Sequence, residues 1–241
     1  MIPDLTCLVE RDFPVALVRL CGRLDRRTST QARTALSRCL AEQPTALVID
    51  LAELSVSDDL VLGLLRTLAE RAVHWPGAAI LLCAANPEVT AALGRMAGPV
   101  PFFATRAAAM DEAGRQPVPP RVRQVYPPAI EAPQHARTLV AGACTAWGVP
   151  GAVSTAQLVA SELVANAVVH ARTPLELSLM LREPYLHLAV RDGDERTVRQ
   201  PGQVSDHAEH GRGLLVIDAL ATTWGTIHTG DGKVVWATLK V

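Results

Sequence analysis

The chain lacks the charge imbalance that is typical of nucleic-acid-binding proteins. Its 241 residues include 23 Lys plus Arg and 24 Asp plus Glu, which gives a formal net charge of -1, and the basic residues form no long run. Proteins that neutralise DNA or RNA phosphates carry a basic patch or stripe. We therefore expect no direct nucleic-acid partner.

Long apolar runs and paired cysteines are also missing. No basic region followed by an apolar core stands at the N-terminus, and charged residues interrupt every apolar stretch before it reaches membrane-spanning length. The five cysteines are odd in number, have no CxxC spacing and stand singly among apolar residues, which indicates reduced, buried thiols. These absences predict a cytoplasmic protein with no membrane segment.

The composition and the proline distribution predict two folded domains. A hydrophobic fraction of 49% with 20% charged residues fits a globular protein, and the length suits two cores of about 100 residues each. Six prolines lie between Gln116 and Pro133. Proline at this density disfavours helices and central strands. We therefore predict a first domain at 1–115, an extended linker at 116–132 and a second domain at 133–241.

Hydrophobic periodicity predicts an α/β fold on both sides of the linker. In the first domain strands alternate with helices, which predicts a mixed sheet covered by helices. The predicted strands are 15–21, 46–51 and 78–84, and the predicted helices are 28–42, 60–72 and 87–96. The second domain has helices at 132–147, 155–171 and 214–221, strands at 175–181 and 186–191, and two more strands around the turn at 230–232. That order predicts an α/β sandwich with helices on one face of a mostly antiparallel sheet.

A polar stripe runs along the predicted helix at 155–171. Glu162, Asn166 and His170 are spaced four apart and therefore share one helix face. The stripe has two interpretations. It is either a solvated face, or a metal and phosphate site in which the Asn oxygen binds Mg²⁺ and the Glu polarises a hydroxyl. His170 alone is interpreted as structural.

Two glycine-containing segments follow downstream. Asp192-Gly193 ends a predicted strand, where the carboxylate can accept a hydrogen bond from the exocyclic amine of adenine and the glycine allows a close backbone approach. An acidic turn explains the same pair. Gly211-Arg212-Gly213-Leu214 precedes a helix, whose free N-terminal amides can bind phosphate, although glycine pairs are also common in loops.

In order and spacing these three segments resemble the N box and the two glycine boxes of the GHKL ATPase superfamily. Segments 161–167 and 211–214, together with Trp224-Gly225 and 232–236, resemble the anti-sigma-factor serine kinases. The resemblance runs from about Pro133 to Val241. It implies a GHKL (Bergerat) α/β sandwich that binds ATP and Mg²⁺.

The resemblance also implies the site residues. Glu162 would be the catalytic base, and Asn166 the metal ligand. The ATP-binding residues would be Asn166, Asp192, Gly193, Gly211, Arg212, Gly213 and Leu214. Arg137 matches a frequent family Arg, whereas Trp224, Trp236 and Lys233 are assigned to packing and the hairpin. One departure is that Gly193 comes one place earlier than the family pattern has it, and the short segment before Gly211 predicts a small lid.

The first domain, at about 5–113, resembles a STAS domain, the fold of anti-sigma-factor antagonists, through segments 20–25 and 50–60. Antagonists carry a phosphorylatable Ser in Asp-Ser-Ser/Thr-Gly, but here the stretch reads Asp58-Asp59-Leu60-Val61 and offers no hydroxyl. Asp58 and Asp59 are therefore the residues equivalent to the phosphosite. Asp59 either mimics a phosphoserine, with less than its charge of about -1.5 to -2, or marks a degenerate docking domain.

Together the resemblances imply an ATP-binding regulatory protein, similar to an anti-sigma-factor serine/threonine kinase fused to a degenerate antagonist domain, in partner-switching control of transcription. The implied partner is a STAS-domain antagonist protein. A sigma factor and a second copy of the chain, forming a homodimer, are further candidates. The alternative is a non-catalytic docking module whose nucleotide state switches protein partners, so kinase activity is left open.

Overall fold

The computed structural model describes residues 4–96, 98–196 and 212–241. The chain divides into two compact units, Met1–Val118 and Pro119–Val241. Each unit has its own sheet, and its hydrophobic core residues pack within the unit, in two clusters in the first and one in the second. The two units are therefore described separately.

The first unit is a mixed sheet with helices on both faces. Its strands are β1 (Thr6–Asp12), β2 (Val15–Leu24), β3 (Ala46–Asp50), β4 (Leu54–Val56), β5 (Ala79–Cys83) and β6 (Phe102–Phe103), and its helices are α1 (Ser29–Ala41), α2 (Gly63–His74), α3 (Pro87–Met96) and α4 (Arg106–Gly114). The strand order is β1-β2-β3-β5-β6, with β4 paired to β2, and only β1 is antiparallel to its neighbour. The predicted mixed sheet is confirmed.

The central strand shows why this unit needs helices on both sides. All five residues of β3 are buried, as expected of a central parallel strand covered on each face. Leu47 and Ile49 belong to the core that includes residues of α1, α2 and α3, whereas Val48 packs in the smaller core with Ala109 and Ala113 of α4. Successive side chains of β3 point to opposite faces of the sheet and therefore pack in two separate cores.

The second unit is an antiparallel sheet with its core on the helical side. Its strands are β7 (Arg121–Tyr126), β8 (Leu175–Arg182), β9 (Tyr185–Asp192), β10 (Thr223–Thr229) and β11 (Gly232–Lys240), and its helices are α5 (Ala132–Ala146), α6 (Val153–Asn166) and α7 (Arg212–Leu220). The strand order is β10-β11-β9-β8-β7. Leu177, Leu188 and Val190 pack in one core with Val140 of α5 and Leu163 of α6. The predicted α/β sandwich is confirmed.

Part of the predicted linker is a strand. Residues 121–126, which the proline content assigned to the linker at 116–132, form β7 and pair antiparallel with β8 from Arg121↔Met180 to Tyr126↔Leu175. The physical reason is local, because the prolines at 119, 120, 127 and 128 flank this segment without entering it. Its backbone N–H groups can therefore join a sheet edge, where proline is tolerated at the ends.

One helical stretch, Pro150–Ala171, is long and apolar enough to cross a membrane by length and composition alone. Core helices of soluble proteins pass the same test. Ala156, Val159, Leu163 and Val164 within it are buried in the core with residues of β8 and β9. These residues of the helical stretch are therefore packed inside the second unit.

Candidate functional site

Helix α6 holds Glu162 and Asn166 at the border of the core. Leu163 and Val164 between them are buried, while Glu162 and Asn166 are half-buried one turn apart. The α-helix ends at Asn166, and a π-helical turn follows at Ala167–Ala171. The α-helical part of the predicted stripe therefore ends at Asn166, and His170 lies in the π-helical turn and is exposed.

Helix α7 brings a glycine against these two side chains. A Cβ atom placed on Gly213 would lie 2.5 Å from Oε2 of Glu162 and 3.6 Å from Oδ1 of Asn166. Any larger residue at this position would have to displace the carboxylate. The fold thus joins two of the three sequence segments at the N-terminus of α7, where free amides favour an anion.

The structure describes only part of the rest of the second glycine segment. Gly211, the side chain of Arg212 and the predicted lid lie outside the described residues. Leu214 is partly buried and packs against the core of the second unit. Arg137 of α5 donates from Nη1 to Oγ of the buried Ser161 at 3.0 Å, which links α5 to the residue before Glu162.

Asp192 is buried at the end of β9, and its two carboxylate oxygens differ. Oδ1 accepts hydrogen bonds from Nζ of Lys233 at 3.0 Å and from the backbone N–H of Asp194 at 2.9 Å. Within the described ranges, no donor forms a hydrogen bond with Oδ2. Gly193 donates its N–H to Oγ1 of Thr173 at 2.9 Å, and a Cβ on Gly193 would lie 3.2 Å from Cγ2 of the same Thr173.

Lys233 is a residue that sequence reasoning left out of the site. It lies opposite Asp192 in the β9–β11 register and is buried. Its Nζ also contacts Asp194, at 3.0 Å from the backbone oxygen and 3.2 Å from Oδ2. A signal was present in the sequence, because strand alternation puts residue 233 on the same face as the apolar Val235 and Ala237. A lysine on an inward face is unusual and calls for a partner.

Ion pairs and hydrogen bonds hold the first residues of the loop after β9. Nε of Arg196 donates to both carboxylate oxygens of Asp194, at 2.9 and 3.1 Å, and its Nη2 donates to the carbonyl oxygen of His170 at 2.6 Å. The hydrogen bond from Arg196, and after it the charge and hydrogen bond of Lys233, lowers the pKa of the Asp194 carboxyl well below its usual range. Asp194 is therefore ionised at neutral pH and pairs with both Arg196 and Lys233, of which Lys233 also contacts Asp192.

In the first unit, Asp58 and Asp59 both have arginine partners. Asp58 caps a 3-10 turn at Asp59–Leu62, accepting the N–H of Leu60 at 3.0 Å, and lies 3.4 Å from Nη2 of Arg26. Oδ2 of Asp59 accepts from Nη2 of Arg95 at 2.5 Å. Leu60, directly after them, is 64% exposed. The loop therefore presents paired carboxylates beside an exposed apolar side chain.

Comparison with protein families gives a match for each unit. Residues 127–239 match the histidine kinase-like ATPase domain, and residues 8–109 match the STAS domain. The second match contains Asp58 and Asp59, and the first contains Glu162, Asn166, Asp192 and Gly213. No curated protein is significantly similar to the chain.

Several solved structures are similar to parts of the chain. An anti-sigma factor antagonist from Mycobacterium paratuberculosis is 24% identical, with a TM-score of 0.42, and the match covers 46% of this chain and 97% of that one. The Bacillus cell fate determinant SpoIIAA in its phosphorylated form is 22% identical, with a TM-score of 0.36 and coverages of 44% and 98%. The RsbU and RsbW domains of a Mycobacterium tuberculosis protein are 17% identical, with a TM-score of 0.40 and coverages of 50% and 32%.

Proposed function

We propose that this chain, which joins a STAS domain to a histidine kinase-like ATPase domain, is an ATP-binding regulatory protein of partner switching that resembles an anti-sigma-factor serine/threonine kinase. The observation that carries the proposal is the close approach of Gly213 to Glu162 and Asn166. It gathers a base, a hard oxygen ligand and a helix N-terminus at one place, inside a domain of an ATP-binding family.

The donor set fits a purine nucleotide and Mg²⁺. The carboxylate of Asp192 is an acceptor-only group, suited to the exocyclic amine of adenine. The N-terminus of α7 has the amides and the dipole that favour phosphate. Gly213 has no side chain there, which lets the Glu162 carboxylate and the Asn166 amide approach this end of the helix. Asn166 offers an amide oxygen, and Mg²⁺ in such sites takes few protein ligands and completes its shell with phosphates and water.

Glu162 is the candidate base for phosphoryl transfer. ATP supplies the γ-phosphoryl group when it is bound. Glu162 would accept the proton of a Ser or Thr hydroxyl on the protein substrate, while Asn166 holds the metal. The substrate would be a separate STAS-domain antagonist protein, because Asp58 and Asp59 offer no hydroxyl in this chain's own loop. A sigma factor is the second proposed partner, and the setting is cytoplasmic.

The arginine partners of the STAS loop bear on its proposed role. The pair between Asp59 and Arg95 offsets the negative charge at the position where an antagonist would carry phosphate. The negative charge of Asp58 is offset in the same way by Arg26. A phosphoserine carries a charge of about -1.5 to -2. The loop is therefore a weak mimic of the phosphorylated state, and this favours a degenerate docking domain over a permanent phosphoserine substitute.

The test combines binding and transfer. We expect the full chain to bind ATP in calorimetric titrations, more tightly with Mg²⁺ than without it, and to transfer labelled phosphate to a separate STAS-domain protein. Glu162→Gln should keep binding and lose transfer. Absence of ATP binding in the parent protein would overturn the proposal. Binding without transfer to any STAS substrate would instead support the second candidate, a non-catalytic docking module.

A further inference from the structure

Lys233 stands out from the other basic residues of the chain. Of the 23 Lys plus Arg, only residues 233 and 240 are lysines, and all the others are arginines. Lys240 is exposed at the end of β11, whereas the side chain of Lys233 is 6% exposed. A protein that otherwise uses arginine thus has lysine at a buried position facing two carboxylates.

The hydrogen bonds of Lys233 account for its whole donor capacity. An ammonium group has three N–H donors, and Nζ has three acceptors within 3.2 Å, which are Oδ1 of Asp192 and both Oδ2 and the backbone oxygen of Asp194. Three acceptors around a single nitrogen match an ammonium and not the planar fork of arginine. No donor is left over for a phosphate, so Lys233 is not a phosphate ligand.

These bonds fix the carboxylate of Asp192. Oδ1 is held by Nζ of Lys233 from the neighbouring strand and by the N–H of Asp194 from the following loop. The carboxylate therefore cannot exchange its two oxygens by rotation without breaking two hydrogen bonds at a buried site. Oδ2 accepts no hydrogen bond from any described residue and therefore has its acceptor capacity left.

We infer that Lys233 is a positioning residue for adenine recognition, which it serves by clamping Oδ1 of Asp192 and leaving Oδ2 to accept the exocyclic amine. The inference rests on the proposed function, since it assigns a role within the same nucleotide site. Asp194 is part of the device, because its carboxylate and carbonyl hold Nζ in place, while Arg196 balances its charge. The cluster of two carboxylates and two cations is neutral overall.

Lys233→Met tests the inference, because it keeps the length and the apolar stem of the side chain and removes the ammonium. Lys240→Met on the same strand is the matched control. Affinities for ATP, ADP and inosine triphosphate are measured by calorimetry on the full chain, with circular dichroism to check folding. Inosine triphosphate carries the same phosphates as ATP but lacks the exocyclic amine.

We expect Lys233→Met to weaken ATP binding about tenfold, as for the loss of a hydrogen bond to a charged group, and to weaken ADP binding by the same factor. Inosine triphosphate binding should change less than about twofold, and Lys240→Met should change nothing. Equal losses for ATP and inosine triphosphate would show a merely structural role and overturn the inference. A larger loss for ATP than for ADP would show a phosphate contact and also overturn it.

A second variant covers the case in which Lys233→Met does not fold. Asp194→Asn keeps the bonds from Lys233 to Asp192 and to the carbonyl of residue 194, but weakens the hold on Nζ. It should reduce the preference for ATP over inosine triphosphate about threefold, and an unchanged preference would overturn the inference. Failure of the parent chain to bind any nucleotide would overturn the proposed function itself, which distinguishes the two failures.

Discussion

At residue 166 an amide oxygen, not a carboxylate, occupies the last position of α6. A neutral amide is a weak ligand for Mg²⁺ by itself, so the metal would depend on nucleotide phosphates for the rest of its shell. Glu162, one turn earlier, can lie against the N-terminus of α7 because residue 213 is glycine, and a side chain at that position would displace the carboxylate. Metal and nucleotide binding should therefore be coupled through Asn166.

Asn166→Ala tests this coupling. In the parent protein, removal of Mg²⁺ should weaken ATP binding, whereas in Asn166→Ala the affinity should be the same with and without metal. We expect the metal-dependent gain in ATP affinity, about tenfold or more, to be lost. His170→Ala is the matched control, because His170 is exposed in the π-helical turn and is interpreted as structural, so the metal dependence should be retained. Equal ATP affinity with and without Mg²⁺ in the parent would contradict the assignment.

The sequence could predict site residues only where a residue type and a spacing carried the chemistry. Glu162 and Asn166 were found from a four-residue spacing, and the structure brings Gly213 beside them. The roles assigned to these residues and to Asp192 stay predictions. Lys233 was missed because its hairpin position assigned it to packing, whereas its partners lie at the end of β9 and in the following loop, 39 to 41 residues earlier. Such a contact depends on strand register, which composition does not give.

At the scale of elements, the central strands and long helices could be predicted from periodicity, whereas the edge strands β1 and β7 could not. The buried strand β3 and the helix α6 have apolar patterns that fit one structure. β1 contains Glu10, Arg11 and Asp12, and β7 lies between prolines, so neither has a strong strand pattern. Edge strands are often polar, and their pairing is decided by the neighbouring strand.

The start of β11 depends on a glycine. Gly232 has φ +150°, and a Cβ atom there would overlap the carbonyl oxygen of Asp192 and lie 2.7 Å from Cα of Gly193. Both the backbone conformation and the close approach of β9 therefore require glycine. The same approach sets Lys233, the next residue, opposite Asp192.

Gly232→Ala should destabilise the second unit by about 2 kcal/mol or more, because it combines an unfavourable φ with an overlap against backbone atoms. The matched control is Gly142→Ala in α5, where no atom lies within 4 Å of the added Cβ. That change should stabilise the helix by about 0.5–1 kcal/mol. Urea unfolding followed by tryptophan fluorescence checks both, since Trp147, Trp224 and Trp236 lie in this unit. Equal midpoints for the two variants would contradict the expectation.

At the scale of the whole molecule, phosphate transfer to a STAS loop would need a base and an acceptor hydroxyl. The chain has a candidate for the first but lacks the second at the two equivalent positions. The second unit has the candidate base Glu162. The first unit has Asp58 and Asp59 where an antagonist has its hydroxyl, each with an arginine partner. The chain thus combines a candidate kinase with a STAS domain that has no Ser or Thr hydroxyl at those two positions.

Asp59→Ser restores the missing hydroxyl and removes the carboxylate that pairs with Arg95. If the chain acts as a serine/threonine kinase, the parent protein should not label its own loop, because residues 58 and 59 have no Ser or Thr hydroxyl for such a kinase to phosphorylate. Asp59→Ser should gain a label at residue 59, mapped by mass spectrometry after incubation with labelled Mg-ATP, and Asp59→Ala should remain unlabelled. Label at Ser55 or Ser57 in the parent would contradict the assignment of Asp58 and Asp59. An unlabelled Asp59→Ser, in a preparation that phosphorylates a separate STAS protein, would mean that the domain has lost kinase recognition as well as its acceptor.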